Sequence, residues 1–398
     1  MKALLLENVH PLATEILTAA GIEVETRTGA LDEAELIDAL QGVSLLGIRS
    51  KTDVRAPALL GCPDLVAVGA FCIGTNQIDL ATATAQGTAV FNAPYSNTRS
   101  VVELAVANII ALARRLTDRN AALHAGVWDK SASGSHEIRG RKLGIVGYGN
   151  IGSQLSVIAE MLGMQVFYYD TEEKLALGNA RRCSSLDELL DQVEAVTLHV
   201  DGRAGNAGIF GPEQFARMRP RSLFLNLSRG FVVDYEALRD ALVSGHVAGA
   251  AVDVFPHEPR NRGDAFTSPL VGLPNTILTP HVGGSTEEAQ EDIGRFVAGK
   301  LRDYALHGTT TLSVNLPTLA PGDVAHAQRV AHVHHNTPGV LAQLNHVLAE
   351  HDINVDAQVL ATRGSLGYVV TDTDSPLSGA VLGDLGTLPD TVRLRVID

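Results

Sequence analysis

In the stretch TILTPHVGGSTE a histidine, His281, follows an apolar run closed by Pro280 and precedes two glycines. Such a run reads as the carboxyl end of a buried parallel strand, and ligands of open α/β sheets bind at that edge. Two further groups stand in the same kind of place: Arg229 directly after SLFLNLS, and Glu258 shortly after VAGAAVDVF. An imidazole titrates near neutrality, so it can take the hydroxyl proton of an alcohol as hydride departs, or return it in the reverse direction. A neighbouring carboxylate favours the imidazolium and fixes its tautomer. A planar guanidinium grips a substrate carboxylate and polarises a carbonyl oxygen. Together the three types fit alcohol–ketone interconversion without a metal. Spacing alone also allows a structural loop histidine beside an ordinary surface ion pair.

The elements that would carry these groups are legible around RKLGIVGYGNIGSQLSVIAEMLGMQVFYYD, residues 141–170. Gly147, Gly149 and Gly152 form G-x-G-x-x-G, a weak pattern alone, but an apolar strand precedes it, apolar positions at helical spacing follow, and a second strand ends in Asp170. In this context each part has a task in dinucleotide binding. Gly147 permits the tight turn, Gly149 lets backbone approach the pyrophosphate, and Gly152 lets helix pack on strand. The N–H groups of Asn150 and Ile151 face the phosphates. Asp170 accepts from the adenosine ribose hydroxyls and repels a 2′-phosphate, which favours NAD over NADP. Short apolar runs continue at 195–200, 222–228, 247–255 and 275–280, separated by helical or loop-like segments. The fold class expected is α/β with a doubly wound parallel sheet. Successive parallel strands end on one side, which would gather Arg229, Glu258 and His281 at one edge.

Bulk properties narrow the setting. With 398 residues, 45% hydrophobic and 19% charged, the chain can bury the cores of two or three domains. A net charge of −14 offers no footprint for nucleic acid or for an anionic membrane. Cys62, Cys72 and Cys183 lack paired spacing, which argues against a disulfide framework or zinc site and fits a reduced, cytoplasmic setting. The opening MKALLLENVHP is too short in apolar residues for a signal-peptide core, and no apolar run reaches membrane-spanning length. In GIRSKT, Arg49, Ser50 and Lys51 follow an apolar strand, and a basic cluster in so acidic a chain reads as a phosphate pocket or as a solvated loop.

GYGNIG, NLSRGFVVD, AVDVFPHEP and LTPHVGGSTEEAQ, in this order and spacing, resemble the D-isomer-specific 2-hydroxyacid dehydrogenases. FCIGTNQIDL and FNAPYSNTRSVVE extend the resemblance toward the short bacterial branch that acts on 3-phosphoglycerate. It implies Arg229, Glu258 and His281 as catalytic residues, and NAD contacts at Asn150, Ile151, Asp170, Leu227, Ser228, Arg229, Asp253 and the loop His281, Val282, Gly283 and Gly284. Substrate contacts would include Arg49, Ser50, Lys51, Gly74 and Asn97. The implied organisation is a flavodoxin-like substrate-binding domain, 1–97 and 284–306, with a Rossmann NAD domain, 98–283, inserted in it. A Thr/Pro/Gly-rich linker at 307–325 would lead to a βαββαβ ACT regulatory domain at 326–398.

The implied reaction is oxidation of 3-phosphoglycerate to 3-phosphohydroxypyruvate, the first step toward L-serine, with a capacity to reduce 2-oxoglutarate to 2-hydroxyglutarate. L-serine would act as effector at His334, Asn336 and Asn354, in a homotetramer. The alternatives are a hydroxypyruvate or glyoxylate reductase, and an NAD-sensing scaffold without turnover. No metal is expected, since His332, His334 and His335 lack a completing carboxylate or thiolate. Three departures stand out: Thr28 where relatives carry lysine, Asp201 and Asn206 in the loop HVDGRAGNAGIFG where relatives carry proline and threonine, and a short glycine-containing helix in SPLSGAVLGDLGTL.

Overall fold

The apolar runs KALL, LLGI, AVGA and AVFN become strands of a parallel sheet: β1 (Lys2–Leu5), β2 (Glu23–Thr26), β3 (Leu45–Ile48), β4 (Ala67–Ala70) and β5 (Ala89–Asn92). Their order β2-β1-β3-β4-β5 is that of the flavodoxin-like fold. Every residue of β3 and β4 is buried, so these strands read as continuous apolar runs rather than alternating ones. This computed structural model describes residues 1–259, 263–322 and 327–397. The chain divides into two units, Met1–Ser96 with Gln290–Asp398, and Asn97–Ala289.

The first unit also contains β13 (Gln328–His335), β14 (Val355–Arg363), β15 (Leu366–Thr373) and β16 (Thr391–Ile397), an antiparallel sheet of order β14-β15-β13-β16. Helices Val340–Glu350 and Gly379–Gly386 cover one face through Leu344, Leu348, Val381 and Leu385 against Val330 and Val369. The short glycine-containing helix does form, with Ser378 capping it through the N–H of Val381. On the opposite face Ala331, Val333, Tyr368, Val370 and Ile397 share one core with Ala3, Leu5, Phe91, Val297, Leu301 and Tyr304. Arg395 donates to the carbonyls of Tyr304 and Ala305 at the carboxyl end of helix Glu287–His307, and Arg393 to those of Leu65 and Gln86. Cations at a helix carboxyl end are favoured by its dipole.

The stretch expected as a linker is packed instead. Thr310, Ser313, Leu316 and Leu319 are buried, Thr310 Oγ1 donates to Pro317 O at 2.6 Å, and Ser313 Oγ donates to Val90 O at 3.2 Å. Pro, Thr and Gly here shape a tight path over the first sheet rather than a flexible tether. The boundary expected at 325/326 lies outside the described residues.

The second unit is built on β6 (Lys142–Val146), β7 (Gln165–Tyr169), β8 (Arg181–Arg182), β9 (Ala195–Leu198), β10 (Ser222–Asn226), β11 (Val247–Val252) and β12 (Thr276–Leu278). All pair in parallel, in the order β8-β7-β6-β9-β10-β11-β12, which is the Rossmann arrangement with one strand added. The order reverses beside β6, the strand that feeds the glycine turn. Helix Leu116–His124 buries no residue and, with the segment after it, exposes Leu116, Leu123, Val127 and Trp128.

Candidate active site

The glycine turn has the shape the sequence requires. Gly147 has φ +91°, and a Cβ there would stand 2.7 Å from His199 O; a Cβ on Gly152 would stand 2.2 Å from Gly147 O. Gly149 faces open space and starts helix Asn150–Met161 without a side-chain cap, so the N–H groups of Asn150 and Ile151 remain available to an anion. Asp170 accepts from Tyr148 N at 2.7 Å and from Glu172 N at 2.9 Å, which fixes its carboxylate at the end of β7. A cradle that a side chain would fill, free N–H groups and a fixed acid fit a dinucleotide. When bound, NAD supplies the hydride acceptor.

Of the three groups after β10, β11 and β12, His281 and Glu258 meet, while Arg229 is near enough to act on them through its charge but bonds to neither. His281 Nδ1 lies 2.8 Å from Glu258 Oε2, and Phe255 N donates to Glu258 Oε1 at 2.9 Å. The hydrogen bond from Glu258 raises the His281 pKa above the ordinary histidine value against the opposing effect of burial. Burial pushes Glu258 up, but its bond with His281, the Phe255 N–H and the nearby Arg229 charge hold it below the ordinary carboxylate value. Arg229 thus acts electrostatically on both partners, and its Nη1 donates to Ser228 O at 2.7 Å. A Cβ on Gly230 would stand 2.0 Å from the carbonyl carbon of Phe255, so glycine is what lets the arginine segment lie against the glutamate segment. Phe255, Phe266, Leu278 and Pro280, with the pair, line a cavity of about 520 Å³.

His281 has φ +54°, a left-handed conformation unusual for a side chain of this size. Asp253 clamps that turn: its carboxylate accepts from Thr279 Oγ1 at 2.6 Å, Val282 N at 2.9 Å and Gly283 N at 2.8 Å. In the loop expected to contact NAD, the N–H groups of Val282 and Gly283 are therefore engaged with the protein. Gly284 lies against Asn97, whose Nδ2 would be 2.1 Å from a Cβ at that position. Leu227 and Ser228 are buried, with Ser228 N and Oγ both donating to Asn226 Oδ1. Thr279, Asn226 and Tyr235, which donates to Val254 O, shape this edge without having stood out in the sequence. His199, also at a strand end, is no part of the group: it is half-buried with Nε2 2.9 Å from Thr197 Oγ1, and desolvation of the ring lowers its pKa to about 4.

In the first unit Arg49, Ser50 and Lys51 follow β3, and among the described residues no carboxylate lies within ion-pair distance of Arg49 or Lys51. Gly74 O accepts from Gln77 Nε2 at 3.3 Å, and the same amide donates to Arg49 O at 2.6 Å. The three expected effector contacts are not brought together within one chain. His334 is buried with Nε2 unpartnered, and Asn336 Nδ2 donates to Gly364 O at 3.2 Å. Asn354, bonded to Asp374, sits at the other end of the sheet. The length of β15, Leu366 to Thr373, separates them by about 24 Å.

Comparison with known chains agrees with this geometry. Residues 106–283 match the D-isomer specific 2-hydroxyacid dehydrogenase, NAD binding domain family, and residues 330–393 match the AHAS small subunit-like ACT domain. The structure of TT0316 protein from Thermus thermophilus superposes with a TM-score of 0.69 at 29% identity, over 76% of this chain and 96% of that one. The class so defined is that of NAD-dependent dehydrogenases of D-2-hydroxy acids. D-3-phosphoglycerate dehydrogenase of Escherichia coli (strain K12) is 47% identical over 400 residues, covering 100% of this chain and 97% of its own. The enzyme of the same name from Dictyostelium discoideum is 45% identical over 397 residues, again at 100% and 97%. The chain belongs to the D-3-phosphoglycerate dehydrogenase family.

Proposed function

We propose that the chain oxidises 3-phosphoglycerate to 3-phosphohydroxypyruvate with NAD, the opening step of L-serine synthesis. The observation that carries this reading is the His281–Glu258 pair at 2.8 Å beside Arg229 at the edge of a dinucleotide-binding sheet. His281 takes the proton of the substrate's 2-hydroxyl, Glu258 orients the ring and stabilises the imidazolium, and Arg229 holds the substrate carboxylate and polarises the reacting oxygen. Asn97 and Gly74 line the substrate, while Arg49, Ser50 and Lys51 receive its phosphate. Asp170 selects NAD.

L-serine is the effector, and a second copy of the chain completes its site. β14 is an edge strand whose Val355, Val359 and Leu360 are each about 40% exposed, an edge that invites pairing. Antiparallel pairing about a two-fold axis at Val359 sets Asn354 of one copy opposite Gly364 of the other, next to Asn336 and His334. The exposed apolar segment around Trp128 offers a second self-contact, and two independent two-fold contacts generate a tetramer. The chain works in the cytoplasm.

Steady-state assay of NADH formation across 3-phosphoglycerate, D-glycerate and D-lactate tests the reading. A kcat/KM at least tenfold higher for 3-phosphoglycerate is expected. Preference for an unphosphorylated acid would point to a hydroxypyruvate or glyoxylate reductase, and tight NAD binding without turnover to a scaffold.

A further inference from the structure

Glu7 carries an unusual combination of features. It is 7% exposed, a carboxylate held away from water with no cation as ion-pair partner among the described residues. Its backbone has φ +61°, and Asn8 after it has φ +53°, two consecutive left-handed residues of which neither is glycine. Such a conformation persists only where the surroundings over-determine it. Here three bonds do so. Glu7 N donates to Gly29 O at 3.2 Å, while Glu7 Oε2 accepts from Lys51 N at 3.0 Å and Oε1 from Thr52 N at 2.8 Å.

The two N–H groups that Glu7 occupies belong to the loop that presents Arg49, Ser50 and Lys51. Successive N–H groups of this kind form an anion-binding concavity, and a protein carboxylate fills it. From the other side Gln77 Nε2 holds Arg49 O at 2.6 Å. The backbone of the basic triplet is thus fixed at both ends by buried side chains, while Ser50 and Lys51 are exposed and Arg49 half-buried. Through its own N–H, Glu7 also ties in the Thr28–Gly29 segment.

We infer that Glu7 is a positioning residue for the phosphate subsite: its carboxylate fixes the loop so that the cations of Arg49 and Lys51 are preorganised for a phosphate on the substrate. The inference rests on the proposed phosphorylated substrate. Both carboxylate oxygens are needed as acceptors, because a glutamine would turn an NH₂ group toward one of the two N–H donors. An aspartate would fall one methylene short. Loss of this anchor leaves the loop's charges in place and removes their fixed geometry, so it acts on capture of the phosphate and not on hydride transfer.

The test compares wild type, Glu7→Gln and Glu7→Asp with 3-phosphoglycerate and with D-glycerate, alongside thermal melts and the KM for NAD. Both variants are expected to raise KM for 3-phosphoglycerate about tenfold or more, with kcat, the KM for NAD and kcat/KM for D-glycerate all within about threefold of wild type. An unchanged or lowered KM for 3-phosphoglycerate overturns the inference, as do equal losses on both substrates. If the wild type itself shows no preference for the phosphorylated substrate, the substrate reading falls and the inference with it; preference retained in the variants sinks the inference alone.

Discussion

At His281 two requirements meet, a proton carrier near neutrality and a left-handed backbone, and they are met by different carboxylates. Glu258 tunes the ring and Asp253 holds the turn. Replacing His281 by alanine should leave NAD binding intact, as read by fluorescence titration, and reduce turnover by about 10²–10⁴-fold. The sign of the Glu258 effect gives a second prediction. Glu258 raises the His281 pKa, and oxidation needs the neutral imidazole, so the wild-type kcat/KM for oxidation rises with pH through a value above the ordinary one. Glu258→Gln removes the charge, lowers that pKa and moves the limb toward acid; reduction, which needs the imidazolium, loses activity at a correspondingly lower pH. Profiles in both directions check this, and an unmoved limb would contradict it. That Glu258 and His281 stand together was legible, because residue type and strand-end position both show in the sequence. The backbone bonds of Asp253 and Glu7 were not, because they depend on φ angles and on which backbone N–H groups point inward.

Loops and edges carry the differences between reading and structure. Composition marked residues 307–325 as a linker, since Thr, Pro and Gly dominate there. The same residues serve equally in a packed path, and only the burial of Leu316 and Leu319 and the bonds of Thr310 tell the two apart. The parallel strands were easy to find because strands buried on both faces are unbroken apolar runs. β14 was legible as a strand, but its position at an edge was not. A charge on that edge gives the prediction: Leu360→Lys should keep the melting temperature within a few degrees, reduce the assembly's mass in sedimentation, and abolish the response to L-serine. An assembly of unchanged size would exclude β14 pairing.

Within the first unit the antiparallel sheet shares a core with the parallel one, and Arg329 of β13 donates from Nη1 to His307 O at the end of the helix packed there while pairing with Asp372 of the neighbouring strand β15. Arg329 and Asp372 form an ion pair with side chains only 4% exposed, Nε to Oδ1 at 2.6 Å, and Arg329 Nη2 also donates to Gly322 O. Removing one partner of such a pair leaves a buried charge, so Arg329→Ala should cost about 3–5 kcal/mol. Calorimetry would show it as a lowered unfolding temperature of the whole first unit. A melt in which only a small separate transition moves would mean that the two sheets unfold independently.

Arg393 and Arg395 reach from β16 to the carbonyls of Leu65, Gln86, Tyr304 and Ala305. Four backbone acceptors near the tips of neighbouring elements are thereby satisfied by the last strand of the chain. The antiparallel sheet therefore is no interchangeable cassette. Grafting in its place a homologue without arginines at both positions would bare those acceptors and the hydrophobic floor around Tyr304, and the chimera would go to inclusion bodies.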